Sequence, residues 1–310
     1  MSASISVVVP VYNEEDNLKL LHEKISDVLK NTDREFEIIY VDDFSTDNSF
    51  EILKNLKDDN TKIVKFRRNF GQTAAMQAGI DNSRGDIIIT LDADLQNDPA
   101  DIPKLIEKYE QGYDLVSGWR KKRQDNVIRT FPSKIANFLI SKITGTGLHD
   151  TGCTLKAYNG EVLRSINLFA DHHRFIPAIF AQYSNKITEL EVEHHPRIYG
   201  KSKYNIFRVF RVIVDLLAIA YWRKYKSKPM YFWGFLALAF SLIALVSFVL
   251  LILNLLIFKL FLLNIIYSVS FVLFLLSSLV SFATGLIFES ILKVNLVQNK
   301  TQYYTIETVL

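Results

Sequence analysis

Cysteine, proline and glycine are scarce in this chain, and over one long stretch so is charge. The 310 residues include one cysteine, Cys153, which excludes an intramolecular disulfide framework and a cysteine-rich zinc site. Seven prolines and twelve glycines are too few for a large disordered segment. A net charge of +3 does not by itself point to nucleic acid, and no nucleic-acid partner is expected. No basic segment precedes the first apolar run, so the N-terminus reads as a strand, not a signal peptide, and the head is expected in the cytosol. The absence with most consequence is in residues 231–288, which hold a single charged side chain, Lys259. Residues 1–230 carry 33 basic and 31 acidic side chains. A spanning helix needs about 20 apolar residues, so the uncharged block has room for two, with a break near Asn254–Asn264. A purely soluble protein is thereby disfavoured against a soluble head with a membrane hairpin.

The charges flanking the block set an expected topology. Arg223, Lys224, Lys226 and Lys228 precede it, Lys293 and Lys300 follow it, and only Lys259 lies in the connection. An excess of Lys and Arg marks cytoplasmic flanks, so both termini are expected inside and the hairpin tip outside. Upstream, Asn205–Tyr225 alternates apolar residues with Arg208, Arg211, Arg223 and Lys224, the pattern of a helix lying in the membrane interface. The expected organisation is a cytosolic head over 1–204, an amphipathic region over 205–228, a transmembrane hairpin over 229–290 and a cytosolic tail over 291–310.

The head alternates strand and helix patterns. Ile5–Tyr12 is a β-branched run, and Leu18, Leu21, Ile25 and Val28 recur at helical spacing within Asn13–Lys30. Strands are expected at Phe36–Asp43, Lys62–Arg68, Asp86–Asp94 and Asp114–Arg120, with helices at Asp47–Leu56, Gly71–Ser83 and Pro99–Gln111 between them. Such βα repeats predict an α/β fold with a doubly wound, mostly parallel sheet. Further strands are expected at Thr154–Tyr158 and Ile187–His195, a basic loop over 121–134 and a helix at Pro132–Ile143.

Ligands of open α/β sheets bind beyond the carboxyl ends of the strands. There the chain places Pro10-Val11-Tyr12-Asn13-Glu14, Asp42-Asp43 and Asp92-Ala93-Asp94-Leu95-Gln96. No G-x-G-x-x-G follows the first strand, which weakens a dinucleotide reading. On an extended segment Asp94 and Gln96 would share a side, and oxygen donors of this kind suit Mg²⁺ or Mn²⁺. Asp43 and Asp92 are alternatively acceptors for a base or ribose, whereas Asp47 and Asp98 read as helix caps. His172-His173 and His194-His195 are adjacent pairs whose side chains diverge, with no further zinc ligands evident. Cys153 reads as a small buried hydrophobe. Arg120 and Arg129, with Ser133 one helical turn beyond Arg129, suit either a phosphate clamp or a basic surface drawn to anionic lipid.

The segments VVVPVYNEE, VDDFSTD, RRNFGQTAAMQAGIDNSRGD, LDADLQ, DTGCTLKAY, HHRFIPA and RIYGKSKY, followed by paired spans, resemble family 2 glycosyltransferases of the polyprenyl-phosphate type, which have the GT-A fold. The resemblance covers nearly the whole chain. It implies that Pro10, Tyr12, Glu14 and Asp43 hold the nucleotide of the donor, with Asp92 near the ribose and diphosphate. It implies Asp94 and Gln96 as metal positions, and Arg120, Arg129 and Ser133 as the lipid-phosphate site. Trp119 stands where some relatives carry Ser. Asp150 matches an aspartate often proposed as catalytic, and Arg197, Ser202 and Lys203 match a mobile loop over the donor. Asp94, Asp150, Arg129 and Lys203 are thus the expected catalytic set. The implied reaction is metal-dependent, inverting transfer of a hexose from a nucleotide-diphosphate sugar, with UDP-glucose favoured, to polyprenyl phosphate in the plasma membrane. The product would serve cell-envelope glycosylation. A GDP-mannose-dependent mannose synthase is the alternative donor reading, and a silent membrane-anchored nucleotide-binding scaffold the alternative class. A processive polysaccharide synthase is disfavoured because Q-x-x-R-W and a multi-span channel are missing. A homo-oligomer through the apolar hairpin remains open.

Overall fold

The computed structural model describes residues 3–121, 145–168, 172–196, 217–218, 220–222, 224–225 and 227–299. The basic loop beyond Lys121, the helix expected at Pro132–Ile143, and most of the expected amphipathic segment lie outside the described residues. The chain divides into two compact units, Met1–Ile219 and Ala220–Leu310.

In the first unit seven strands form one sheet. They are β1 (Ile5–Val11), β2 (Phe36–Asp42), β3 (Thr61–Lys65), β4 (Ile87–Thr90), β5 (Leu115–Trp119), β6 (Lys156–Asn159) and β7 (Ile187–Glu191), in spatial order β3-β2-β1-β4-β6-β5-β7. β6 runs antiparallel between β4 and β5, and every other pairing is parallel. The expected mostly parallel, doubly wound sheet is present, with one reversed strand inserted.

Helices cover both faces, which is why β1, β2 and β4 carry apolar residues on both sides. α1 (Leu18–Lys30), α2 (Ser49–Leu56) and α4 (Ile102–Glu110) pack on the face carrying Val7, Val9, Ile38 and Ile89. α3 (Gln72–Asp81), α5 (Gly160–Arg164) and α6 (Ile176–Phe180) pack on the face carrying Val8, Ile39 and Ile88. The alternation of Val7, Val8 and Val9 between two cores is the period-two pattern of a strand buried on both sides. Each fully buried Val, Leu or Ile contributes roughly 1.5–3 kcal/mol. α3 lies so close to β1 that a Cβ added at Gly79 would come within 2.2 Å of Val8 Cγ1.

α1 begins at Leu18, five residues later than the periodicity suggests. Residues 13–17 are instead laced to the β2–α2 loop. Asn13, Glu14 and Glu15 donate backbone N–H groups to Ser45 Oγ, Ser49 Oγ and Asp47 Oδ2. In return Thr46 N donates to Asn13 Oδ1 and Asn48 N to Glu15 Oε2. Side chains of Ser, Asp and Asn thus satisfy backbone donors that a longer helix would leave orphaned.

The second unit is a helical hairpin. α7 (Pro229–Leu253) ends in a π-helical turn, Asn254–Phe258, and Lys259 takes a left-handed conformation (φ 54°) before α8 (Phe261–Asn299). The break falls where the sequence suggested. Both helices are long and apolar enough to cross a membrane, over Pro229–Phe258 and Phe261–Val294. Only 17% of each apolar window is buried within the protein, which distinguishes them from core helices. Polar contacts hold the hairpin together. Ser241 Oγ meets Ser278 Oγ at 2.7 Å, Ser278 Oγ donates to the Ala237 carbonyl, and Ser247 Oγ meets Ser270 Oγ at 3.1 Å. At the tip Asn254 Nδ2 donates to Asn264 Oδ1 at 2.6 Å and to the Leu260 carbonyl at 2.9 Å.

Candidate active site

The strand order brings the ends of β2, β1 and β4 side by side, so three acidic segments far apart in sequence share one sheet edge. Beyond β1, Pro10 is half-buried and Tyr12 is exposed, and Glu14 Oε2 accepts a hydrogen bond from Asn17 Nδ2 at 2.6 Å. At the end of β2 the Asp43 carboxylate is buried. Its oxygens accept the backbone N–H groups of Phe70 at 2.7 Å and Gly71 at 2.9 Å. Burial raises the Asp43 pKa and these two hydrogen bonds oppose the rise. Asp43 therefore fixes the loop between β3 and α3, where Gly71 takes φ 91°.

β4 ends at Thr90, short of the strand expected through Asp94. The aspartates lie on a turn. Leu95 is left-handed (φ 58°), and Asp94 Oδ1 accepts the Gln96 backbone N–H at 3.2 Å. The extended geometry expected for Asp94 and Gln96 is thus replaced by an Asx-type turn, because the side chain bonds its own backbone two residues on. Asp92 accepts Gln72 Nε2 from the start of α3 at 2.9 Å. Burial and the Asp94 charge push the Asp92 carboxyl well above its ordinary value. Asp92 and the buried Asp94 carboxylate, with Gln96 on the same turn, offer oxygen donors that fit a hard divalent cation. Asp98 behaves as the expected cap, accepting Ala100 N at 3.1 Å.

Arg120 and Asp150 form a buried ion pair, near enough for the arginine charge to act on Asp92. Nε and Nη2 of Arg120 donate to the two Asp150 oxygens at 2.7 and 3.0 Å. The Arg120 backbone N–H and that of Gly152 add bonds of 3.3 and 3.1 Å to the same carboxylate. Burial alone would lower the arginine pKa, but the hydrogen bonds and charge of Asp150 hold it above its ordinary value. Two residues predicted for separate roles, lipid-phosphate binding and catalysis, are therefore one bidentate unit. The Nη1 side of the guanidinium is not engaged by Asp150. Arg129, Ser133, Arg197, Ser202 and Lys203 lie outside the described residues.

Some features had no local signal. Gln72 at the start of α3 and Lys156 in β6 adjoin the acidic turn only because of the fold. Trp119 stacks on His149, with ring centroids 4.7 Å apart and planes 19° apart, and His149 pairs with Glu189. Cys153 is fully buried in the core, as expected for a small hydrophobe. His195, which lacked partners in sequence, comes within 4.8 Å of Asp98 and Glu193. The Asp98 carboxylate also meets His195 Nε2 at 3.1 Å and Lys24 Nζ at 3.5 Å, contacts that occupy it without a metal.

Residues 6–166 match Glycosyl transferase family 2, and the chain belongs to that family. It is accordingly a glycosyltransferase with a GT-A-like head, and its close curated relatives are named as polyprenyl-phosphate sugar transferases. The dodecaprenyl-phosphate galacturonate synthase of Rhizobium johnstonii is 44% identical over 252 residues, covering 79% of this chain and 75% of that protein. The undecaprenyl-phosphate 4-deoxy-4-formamido-L-arabinose transferase of Proteus mirabilis is 38% identical over 252 residues, covering 80% and 75%. Among solved structures, mannosyl-3-phosphoglycerate synthase from Rubrobacter xylanophilus aligns with TM-score 0.56 and 13% identity, covering 72% of this chain and 75% of that one. Glucosyl-3-phosphoglycerate synthase from Mycobacterium tuberculosis, in complex with Mn²⁺, UDP-glucose and phosphoglyceric acid, aligns with TM-score 0.53 and 19% identity, covering 72% and 80%. At these identities the two structures bear on the fold alone.

Proposed function

We propose that the protein transfers a sugar from a nucleotide-diphosphate donor to a polyprenyl phosphate, with inversion at the anomeric carbon. The observation that carries the reading is the acidic turn at Asp92–Gln96, linked electrostatically to the buried Arg120–Asp150 pair, in a chain that also has two apolar helices. The first feature suits a charged, water-soluble donor and the second an acceptor that stays in lipid. The named activities of the two relatives support the acceptor class. UDP-glucose is the favoured donor, with a uronic acid or a formamido-sugar nucleotide placed beside it by those relatives and GDP-mannose as a further alternative.

Pro10, Tyr12, Glu14 and Asp43 border the donor's base and ribose, Asp43 through the loop that it fixes. Asp94 and Gln96, with Asp92 beside them, would hold Mg²⁺ or Mn²⁺, which supplies charge neutralisation for the departing diphosphate. Arg120, with Arg129 and Ser133, orients the acceptor phosphate by charge-assisted hydrogen bonds. Arg197 and Lys203 close over the donor. A phosphate monoester has its second ionisation near pH 6, so at neutral pH the attacking oxygen is already largely unprotonated. Asp150, with both oxygens on Arg120, positions that arginine and takes no proton. The hairpin anchors the enzyme in the membrane, head and both termini on the cytoplasmic side, consistent with the Lys and Arg flanks. The residue ranges expected for head, interfacial region, hairpin and tail are carried into this proposal.

The test is a membrane-fraction assay with undecaprenyl phosphate and a panel of labelled donors. Chloroform-extractable label that appears with one donor and is lost with EDTA is the expected result. Nucleotide binding with no lipid-linked label from any donor would overturn the reading in favour of a scaffold.

A further inference from the structure

Lys156 has no role in the chemistry described so far, yet it is 3% exposed in the middle of the sheet. The strand registers set it in one cross-strand row with Thr90 of β4, Ser117 of β5 and Glu189 of β7. Directly opposed residues in neighbouring strands share a face. The adjacent row on that face, two residues back along β4, β5 and β7 and two residues on along the reversed β6, is Ile88, Tyr158, Leu115 and Ile187. The face thus turns from apolar to polar in one step of about 7 Å. That step coincides with the end of β4, immediately before the Asp92–Gln96 turn.

A buried ammonium is costly without compensation. The hydrogen bond of Lys156 goes to a neutral group, the Thr151 carbonyl, at 3.3 Å. Burial lowers the Lys156 pKa, opposed by Cys153, Asp150 and Asp92 and reinforced by the Arg120 charge. One cluster therefore sets three carboxylates, Asp92, Asp94 and Asp150, against two cations, Arg120 and Lys156. With every carboxyl ionised the formal sum is −1, and −2 if Lys156 is neutralised. A bound divalent cation changes these sums to +1 and 0. Only the first attracts a diphosphate.

We propose that Lys156 is a positioning charge beneath the donor site, which weakens uptake of a bare divalent cation and strengthens binding of a nucleoside diphosphate to the cation-loaded site. The inference rests on the metal and nucleotide reading above. Lys156 reaches substrate through the site's charge balance and through the Thr151 carbonyl beside Asp150.

Calorimetric titration of the full chain in detergent tests it, first with Mn²⁺ alone and then with UDP at saturating Mn²⁺. In Lys156→Met, Mn²⁺ should bind more tightly and UDP more weakly, each on the order of tenfold, the size expected for one unit charge acting across a partly screened site. Lys156→Arg should return both affinities toward wild type. Lys156→Gln, which keeps a donor for Thr151, carries the test if the Met variant melts early. Affinities that fall together would make Lys156 a packing element and overturn the proposal, as would affinities that do not move. A wild-type protein that takes up neither Mn²⁺ nor UDP would refute the metal and nucleotide reading itself, and this inference with it.

Discussion

Replacing Asp150 by Asn separates a positioning carboxylate from a proton acceptor. The substitution keeps the side chain's size and one acceptor oxygen while removing its charge. The wild-type carboxylate takes two guanidinium hydrogen bonds, at 2.7 and 3.0 Å. Asn keeps an acceptor for one of these bonds and loses the other, and a hydrogen bond between charged groups contributes about 1.5–3 kcal/mol, so the Arg120 clamp should weaken by about 2 kcal/mol. The Arg120 side chain is only 10% exposed, and water replaces little of the loss. If the clamp must be in register when the acceptor attacks, that energy corresponds to roughly a 30-fold fall in kcat. A lost general base would typically cost 10²–10⁴-fold, roughly, and would also remove the acidic limb of the pH–rate profile. The limb expected here belongs to the acceptor phosphate, near pH 6, and should survive unchanged in Asp150→Asn. Profiles of kcat and kcat/KM on the full-length protein, with thermal midpoints as a control for folding, decide the matter. Disappearance of the limb in the variant would refute the positioning role.

Divalent-cation affinity should rise with pH across the acid-to-neutral range, because Asp92 holds its proton above the ordinary carboxylate range, and proton release measured in buffers of different ionisation enthalpy checks it. Gly79→Ala should lower stability by about 1–3 kcal/mol, the usual cost of overpacking, since its Cβ would meet Val8. An unchanged unfolding midpoint would contradict the α3–β1 packing. Asn254→Leu should cost about 0.6–1.7 kcal/mol of hairpin stability in detergent, read as a lower midpoint of thermal aggregation. His22 is buried against Tyr40 and Ser26, and burial lowers its pKa. The unfolded chain then binds the proton first, so this contribution to stability is complete above about pH 6.5 and is lost as pH falls below it. His22→Gln should flatten that dependence.

Most of the head was legible because its strands are continuous apolar runs and its helices have one buried stripe. Leu18, Leu21 and Ile25 are fully buried, as their spacing required, and Val28 packs at the margin. The ends of elements were less legible. Asn13–Asn17 continues the helical pattern, but its backbone donors find Ser45, Asp47 and Ser49 across the neighbouring loop. The run through Asp94 looked extended, and a left-handed Leu95 turned it instead. The reversal of β6 had no local signature, since Lys-Ala-Tyr-Asn reads alike in either direction. Arg120 and Asp150 were each recognisable, but their pairing was not, because thirty residues separate them and neither flank carries a complementary pattern. Lys156 escaped notice for the same reason, for its surroundings exist only once the register is set.

The position of β7 has a consequence for the order of events during synthesis. Its last residue, Glu191, precedes Pro229, the first residue of α7, by 38 positions. Every described strand of the sheet therefore leaves the ribosome before any part of the hairpin. Parallel sheets with distant pairings fold slowly, and chains fold domain by domain from the N-terminal side as they emerge. If the hairpin enters a membrane as proposed, the interval between β7 and α7 places the sheet's strands outside the ribosome before the apolar segment emerges.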